Sequence, residues 1–310
     1  MELLLVILTL TPNPALDVTY TVDALEPGAS HRVRQVVQRA GGKGVNAASV
    51  LAQLGHPVRA YGPAGGPTGA LLIDDLRRRG IDQAMTEVSA NTRRTITVVA
   101  ESDHSATVLN EPGTLDAVSW RQVLADLRHG LEAGAEVLVA SGSLPAGVAD
   151  EAYADVIGLA HEHGCPCIVD TSGPALLSAL AASPDLIKPN HHELAEVTGT
   201  SEAYDGARLL QQRGARTVVV SRGENGLLLV RPDGTSYAAR PRVPLEGNPT
   251  GAGDAAVAAL AAGLSLNLSE PEMVRTAVGW SSAAVLAPVA GDVDRAALHD
   301  LTTTVIQGDA

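Results

Sequence analysis

Hydrophobic positions follow two different patterns along this chain. From about residue 117 onward, short continuous apolar runs alternate with segments whose apolar residues recur at helical spacing. Continuous apolar strands separated by helices are typical of a parallel sheet that helices cover on both faces. The predicted helices cover 117–133, 150–163, 174–182, 191–198 and 202–213, and the predicted strands cover 137–140, 168–170, 186–188 and 217–221, followed by a hairpin at 226–230 and 235–239. We therefore predict an α/β fold with a doubly wound, mainly parallel sheet flanked by helices.

The first third of the chain alternates polar and apolar residues instead. After an apolar strand at 3–10, this alternation marks four further strands, at 17–22, 32–38, 94–100 and 106–109. Such strands have one solvated face, so they do not fit inside the buried sheet. We expect them to form a small antiparallel β lid, built from about 12–39 and 91–112, on a single domain spanning 1–310. Ligands of open α/β sheets bind beyond the carboxyl ends of the strands, so the lid and those ends should meet at one cleft.

Charge and hydropathy exclude several kinds of partner. The 310 residues carry a net charge of −13, and no basic run exceeds Arg77–Arg79, so nucleic acid is not expected as a partner. The apolar run at 3–10 is too short for a membrane span, so we expect no membrane partner and a cytoplasmic location. Exposed lid strands have free edges that a second copy can cover, which makes a homodimer through the β lid possible.

One cluster resembles a metal site at first sight. His161, His163, Cys165 and Cys167 lie within seven consecutive residues. However, a helix is predicted to end at Gly164, and the two cysteines then enter a strand. These side chains need not converge, so we expect no metal there.

The segment Asn248–Asp254 carries the strongest chemical signal. Gly251 and Gly253 open an Ala-rich helical run, where unobstructed N–H groups and the positive helix end can bind phosphate oxygens. Asp254 follows in the first helical turn. A carboxylate beside an anion site can accept a hydroxyl proton during phosphoryl transfer, although a lone Gly-x-Gly-Asp is more often an ordinary helix start.

Lysine is rare in this chain, and both lysines lie in candidate motifs. Lys43 belongs to Gly41–Asn46 and Lys188 to Lys188–Glu193, whereas every other basic residue is arginine. A lysine ammonium is a mobile point charge that suits phosphate. Asn190 and Glu193, three residues apart at a helix start, can hold magnesium through water or form a helix cap with its capping glutamate.

Six motifs, taken in chain order, resemble those of the ribokinase-like (PfkB) carbohydrate kinases, and together they span nearly the whole chain. The motifs are Asn13–Asp17, Gly41–Asn46, Ser141–Pro145, Lys188–Glu193, Ser221–Gly226 and Asn248–Asp254. Within this family, three segments are similar to the corresponding segments of the hexose-phosphate branch. They are Gly-Gly-Lys-Gly around Lys43, Thr-Leu-Thr-Pro-Asn-Pro near the start of the chain, and Ser-Gly-Ser-Leu-Pro. The chain departs from many relatives in one place, where Asn248-Pro249 replaces Asp-Thr.

The resemblance implies a role for each matching residue. Asp254 would be the base, and Gly251, Ala252 and Gly253 the anion hole. Asn190 and Glu193 would organise Mg²⁺ and its waters. The ATP site would comprise Lys188, Asn190, Glu193, Ser221, Gly223, Gly226 and Thr250. The sugar phosphate would contact Asp17, Gly41, Gly42, Lys43, Asn46, Arg93, Arg32 and Ser141, with the basic residues on its phosphate.

The expected function is therefore ATP-dependent phosphorylation of a ketohexose phosphate. Fructose 1-phosphate, giving fructose 1,6-bisphosphate, is the expected acceptor, with tagatose 6-phosphate or fructose 6-phosphate as alternatives. A catalytically silent sugar-phosphate sensor on the same fold is the alternative from a different class. Such a sensor would be expected to have lost Asp254 or the pair Asn190 and Glu193, all of which are present.

Overall fold

The computed structural model describes residues 6–103, 105–300 and 303–308, with side chains described up to residue 298. In chain order, the strands of these residues are β1 (Val6–Leu10), β2 (Ala15–Val22), β3 (Gln35–Gly41), β4 (Val58–Ala64), β5 (Asp82–Glu87), β6 (Arg93–Ala100), β7 (Ala106–Asn110), β8 (Ala135–Ser141), β9 (Cys167–Asp170), β10 (Leu186–Ile187), β11 (Thr217–Ser221), β12 (Leu227–Val230), β13 (Ser236–Pro241) and β14 (Thr303–Gly308). The helices are α1 (Lys43–Gln53), α2 (Gly66–Arg78), α3 (Ala117–Glu132), α4 (Ala152–Glu162), α5 (Gly173–Leu180), α6 (His191–Thr198), α7 (Ala203–Gln212), α8 (Ala252–Ser265), α9 (Glu270–Val285) and α10 (Ala297–Asp300).

The main sheet orders its strands β14-β13-β12-β11-β10-β9-β8-β1-β4-β5. The ladders from β11 to β5 are parallel, and those joining β11 to β14 are antiparallel. Side chains of the parallel strands alternate between two apolar cores, as Ile7 and Leu8 do in β1. Because helices cover both faces, these strands read as continuous apolar runs. The predicted α/β fold is confirmed.

Two edge strands of this sheet were not predicted. β5 carries the polar sequence Asp-Gln-Ala-Met-Thr-Glu, and it has a strand neighbour on one side only. β14 forms the opposite edge. The mostly polar side chains of β5 have little apolar surface to bury, so its sequence lacks a strong strand pattern. Residues 3–5 of the predicted first strand lie outside the described residues, and β1 begins at Val6.

Helix α8 is the central helix of the larger core. Ten consecutive residues from Asp254 to Gly263 are buried, and α8 packs closely against α9 and α1. A helix that is apolar on all sides belongs inside a fold, which explains its alanine-rich sequence. Asp254, the candidate catalytic residue, is the first of these buried residues and therefore lies inside the core. Among the described residues, no helix combines the length and apolarity that a membrane span requires.

The small sheet orders its strands β3-β2-β6-β7. Its strands come from the two segments predicted to form the lid. The outer ladders are antiparallel, whereas the central ladder between β2 and β6 is parallel. β7 is exposed along its whole length, which agrees with strands that have a solvated face.

Candidate active site

Most of the motifs meet at the carboxyl ends of the parallel strands. β8, β9, β10 and β11 end at or next to Ser141, Asp170, Lys188 and Ser221. A cleft of about 920 Å³ opens between these ends and the lid. Candidate residues that line it are Asp17, Gly42, Lys43, Asn46, Arg93, Glu193 and Thr250. The expected common cleft is therefore present.

Asp254 is buried, with 7% of its surface exposed, and lies next to Asn46, which lines the cleft. Asn46 donates an amide hydrogen bond to its carboxylate, Nδ2 to Oδ2, at 2.8 Å. Burial raises the pKa of Asp254 to about 6, and the negative charge of Asp170 adds to the effect. Asn46, Lys43 and Lys188 act in the opposite direction. The carboxylate is therefore ionised at neutral pH but retains appreciable proton affinity, as a general base requires.

The loop before α8 leaves backbone donors available beside Asp254. Gly251 is the N-cap residue and has φ +87°, a left-handed conformation that favours glycine. Within the described chain, the N–H groups of Gly251 and Gly253 have no backbone acceptor, whereas Ala252 N–H donates to Pro249 O at 3.2 Å. Of the three residues expected to form the anion hole, Ala252 therefore has a backbone acceptor for its N–H group, whereas Gly251 and Gly253 have none among the described residues.

Asp170 is a site residue that the sequence did not reveal. It is buried at the end of β9, and Ser141 Oγ donates to its Oδ2 at 3.3 Å. Its Oδ1 lies 3.3 Å from Lys43 Nζ and 3.8 Å from Lys188 Nζ. Although burial opposes ionisation, the two ammonium groups hold the pKa of Asp170 below its usual value. The only available sequence signal was an acidic residue ending an apolar strand.

The two lysines are thus close to one carboxylate. Asp170 raises the pKa of Lys43 to about 12 despite the cost of burial, and Glu193 and Asp254 contribute. The Lys188 side chain is only 4% exposed, and its Nζ would lie 3.4 Å from a Cβ at Gly253. Lys188 therefore lies beside the helix start that carries the glycine donors.

Asn190 and Glu193 form a complete capping box at the start of α6. Asn190 Oδ1 accepts from the backbone of His192 and Glu193, and Glu193 Oε2 accepts from Asn190 N, all at 2.9 Å. The structure therefore contains the helix cap that was one of the two predictions for this pair. Glu193 Oε1 remains directed to the cleft, 3.9 Å from Lys43 Nζ. Glu193 is thus the member of this pair that offers an oxygen for a cation.

Asp17 lies on the lid strand β2, against the backbone of Gly41. A Cβ at Gly41 would overlap the Asp17 carboxylate, so any other residue there would displace that side chain. Burial raises the pKa of Asp17 to about 6, while Thr95, Arg93 and Arg39 lower it. A carboxylate in this position can accept hydrogen bonds from sugar hydroxyls.

Arg93 and Arg32 occupy different places. Arg93 lines the cleft and donates to Asn13 O, Thr95 Oγ1 and Glu111 O at 3.3 to 3.4 Å. In the described part of the chain, no carboxylate lies within salt-bridge distance of it. Arg32 lies exposed in the turn between β2 and β3, beyond the strand ends farthest from Asp17. The structure therefore brings Arg93 to the cleft and leaves Arg32 outside it.

The Ser221–Gly226 turn lies beside the Asn190 cap. Ser221 N donates to Pro189 O at 3.0 Å, which links the end of β11 to the start of α6. Gly223 lies within a short 3₁₀ turn, and Gly226 precedes β12. Among the described residues that line the cleft, Ser221, Gly223 and Gly226 do not occur.

The histidine and cysteine cluster of the sequence has only one member, His161, with a carboxylate partner among the described residues. His161 Nε2 lies 2.8 Å from Asp185 Oδ2, and Cys165 and Cys167 are buried free thiols. No group of three potential metal ligands occurs among the described residues.

Comparison with known proteins identifies the family of this chain. A family model described as pfkB family carbohydrate kinase matches residues 10–295. The 1-phosphofructokinase of Rhodobacter capsulatus is 38% identical over 96% of this chain and 97% of its own length, and that of Xanthomonas campestris pv. campestris is 36% identical over 97% and 98%. Phosphofructokinase-2 from Escherichia coli, in complex with potassium, superposes with a TM-score of 0.89 at 33% identity, covering 96% of this chain and 98% of that one. The chain belongs to the pfkB family of carbohydrate kinases.

Proposed function

We propose that this enzyme transfers the γ-phosphoryl group of ATP to fructose 1-phosphate, which gives fructose 1,6-bisphosphate and ADP. The observation that carries the proposal is the buried Asp254 carboxylate beside the glycine helix start, in a cleft that also contains Arg93. The two relatives named 1-phosphofructokinase, similar over nearly their full length, support this acceptor.

Asp254 is the proposed general base. Its carboxylate accepts the proton of the acceptor hydroxyl, and that oxygen forms a bond to the γ-phosphorus as the bond to the leaving ADP oxygen breaks. The hydrogen bond from Asn46 holds one carboxylate oxygen, which leaves the other oriented toward the acceptor. Phosphoryl transfer depends mainly on such positioning and on charge stabilisation.

The nucleotide phosphates are proposed to lie between the start of α8 and Lys188. The N–H groups of Gly251 and Gly253 would donate to phosphate oxygens, and the Lys188 ammonium would offset their charge. Thr250 lines the same cleft. The turn containing Ser221, Gly223 and Gly226 would border the rest of the nucleotide.

The carboxylates around Lys43 fit a magnesium ion. Mg²⁺ usually binds proteins through one or two carboxylates while it keeps waters and contacts substrate phosphates. Asp170 Oδ1 and Glu193 Oε1 lie 3.3 and 3.9 Å from the Lys43 ammonium, so a magnesium ion held by both carboxylates would take the place of that ammonium and leave Lys43 for the sugar phosphate. Asn190 would act through the cap that orients Glu193. Bound Mg²⁺ would neutralise charge on the nucleotide phosphates.

The acceptor is proposed to lie under the lid. Asp17, Gly41, Gly42 and Asn46 would contact its hydroxyls, with Ser141 acting through Asp170. A protein of net charge −13 repels a sugar phosphate, so its phosphate needs local cations. Arg93 supplies one of them and has no ion-pair partner to displace among the described residues, and Lys43 supplies the second.

We test this proposal by measuring Mg²⁺-dependent ADP release with fructose 1-phosphate, fructose 6-phosphate, tagatose 6-phosphate, fructose, ribose and adenosine. The highest kcat/KM is expected with fructose 1-phosphate. Fructose 6-phosphate is the second candidate, because a similar structure is of E. coli phosphofructokinase-2 in complex with that sugar phosphate. Preference for an unphosphorylated acceptor would contradict the roles of Lys43 and Arg93. Binding of ATP and sugar phosphate without turnover would favour the sensor.

The proposed homodimer would form through the β lid. Val36, Val108 and Leu109 are more than half exposed on β3 and β7, the two edge strands of the small sheet. Light scattering is expected to give twice the chain mass, and Val108→Asp is expected to reduce it. Val118→Asp, at a still more exposed position on α3, is the control. A monomer in the unmodified protein would refute the dimer.

We also propose a cytoplasmic location, because ATP is available there. Cell fractionation tests this proposal.

A further inference from the structure

An ion pair outside the catalytic cleft joins the lid to the loop behind the phosphate site. Arg39 on β3 forms two parallel hydrogen bonds with Asp292, NH1 to Oδ2 and NH2 to Oδ1, each 2.7 Å long. The two side chains are 19% and 30% exposed. Gln53 Nε2 donates to Asp292 Oδ1 at 3.1 Å. Paired, planar hydrogen bonds of this kind fix relative orientation as well as distance.

The Arg39 end is continuous with the sugar-binding side of the cleft. Arg39 is the register partner of Asp17 across the β2–β3 ladder, and two residues later the strand reaches Gly41. The chain then turns at Gly42 into α1, which carries Asn46. A shift of β3 would therefore displace the residues proposed to hold the acceptor.

The Asp292 end is continuous with the phosphate side. Gly291 O accepts from Ser49 Oγ and Gln53 Nε2, at 2.5 and 2.7 Å. Ala290, one residue earlier, packs so closely on Gly251 that a Cβ at Gly251 would lie 2.9 Å from the Ala290 Cα. Gly291 likewise lies against Asn46. The segment 290–292 thus supports both the anion site and the residue that orients Asp254.

We propose that Arg39 and Asp292 are positioning residues that hold the acceptor side of the cleft in register with the phosphate side. This inference rests on the proposed kinase function. Neither residue needs to contact substrate, because each acts through the segment that it anchors. Displacement of a reacting group by about 1 Å can lower the rate about 100-fold, so a pair that fixes this spacing affects turnover.

The kinetic test uses Asp292→Asn, Arg39→Gln and the double variant. Each single variant is expected to lower kcat about 10- to 100-fold while the KM for ATP stays within about 2-fold. The double variant is expected to match Asp292→Asn, because that substitution already removes the contact with Arg39, together with a longer one of 3.7 Å from Arg79. Arg59→Gln is the matched control, since Arg59 forms a 2.7 Å ion pair with Asp82 at the far edge of the main sheet. It should leave kcat unchanged.

Amide hydrogen exchange of the unliganded protein gives a readout that does not depend on activity. Asp292→Asn is expected to accelerate exchange in 288–292, and Arg59→Gln is not. An unchanged kcat in Asp292→Asn would overturn the inference, as would unchanged exchange or additive losses in the double variant. If the unmodified enzyme phosphorylated no sugar phosphate, the proposed function would fail. The exchange comparison would still test whether the ion pair holds the segment 288–292 in place.

Discussion

Replacing Asp254 with asparagine should affect activity and stability in opposite directions. The substitution removes the charge and the proton acceptor, while an amide oxygen can still accept the hydrogen bond from Asn46. Loss of a general base costs about 100- to 10,000-fold in rate, so kcat should fall by that factor. ATP affinity should stay nearly unchanged, because the glycine donors and Lys188 remain.

The effect on stability follows from the pKa of Asp254, which rises from the ordinary aspartate value of 3.8 to about 6 in the folded protein. A carboxyl group whose pKa is raised by folding favours the folded state at low pH, and this contribution is lost as the pH rises through 6. At pH 8 the shift corresponds to about 3 kcal/mol, at about 1.36 kcal/mol per pH unit, and at pH 5 to about half of that. Asp254→Asn should therefore raise the Tm at pH 8 by about 5 °C, and by less at pH 5.

Two measurements decide the matter: coupled ADP release at pH 8 and calorimetric unfolding at pH 8 and pH 5. Asp205→Asn is the matched control, because Asp205 lies in the first turn of α7 on an exposed surface. It should leave kcat unchanged and lower stability by about 0.3–1 kcal/mol through loss of a favourable helix-end charge. Near-normal turnover of Asp254→Asn would exclude the base assignment. A lower Tm at pH 8 would refute the reasoning on burial.

Three further predictions concern the charged and thiol groups. Lys188→Met leaves the buried Asp170 with one ammonium partner fewer, so the free energy of unfolding should fall by about 3–5 kcal/mol in urea titrations, and an unchanged midpoint would contradict this. Arg93→Gln should raise the KM for fructose 1-phosphate about 10- to 100-fold, as expected for loss of a charged hydrogen bond. Steady-state assays should show an unchanged KM for ATP. Equal effects on both KM values would refute the role of Arg93 in binding the sugar phosphate. Burial raises the pKa of Cys165 to about 12 and that of Cys167 well above its usual value, so a thiol reagent at pH 8 should label neither in the native protein and both in urea. Rapid labelling of the native protein would contradict the buried placement.

Local patterns explain what could be read from the chain alone. The buried parallel strands and the alanine-rich α8 were predictable, because burial on all sides demands apolar residues wherever the chain passes. The Asn248–Asp254 segment was also readable, since a helix start with two glycines is formed by neighbours in sequence. Asn190 and Glu193 supported two interpretations for the same reason: a cap and an oxygen ligand require similar residues. The structure shows the cap and leaves one Glu193 oxygen toward the cleft.

Long-range contacts decided the rest. Asp170 gained a role only because the fold brings Lys43 and Lys188 to its carboxylate, from 127 residues away along the chain in the case of Lys43. The ion pair between Arg39 and Asp292 joins residues 253 positions apart. The sequence by itself determined the fold class and the helix start that carries Gly251 and Gly253, because both depend on local spacing and on which faces are buried. Only the tertiary structure decided which charges meet, because ion pairing depends on distances of a few ångströms between segments that have no sequence relation.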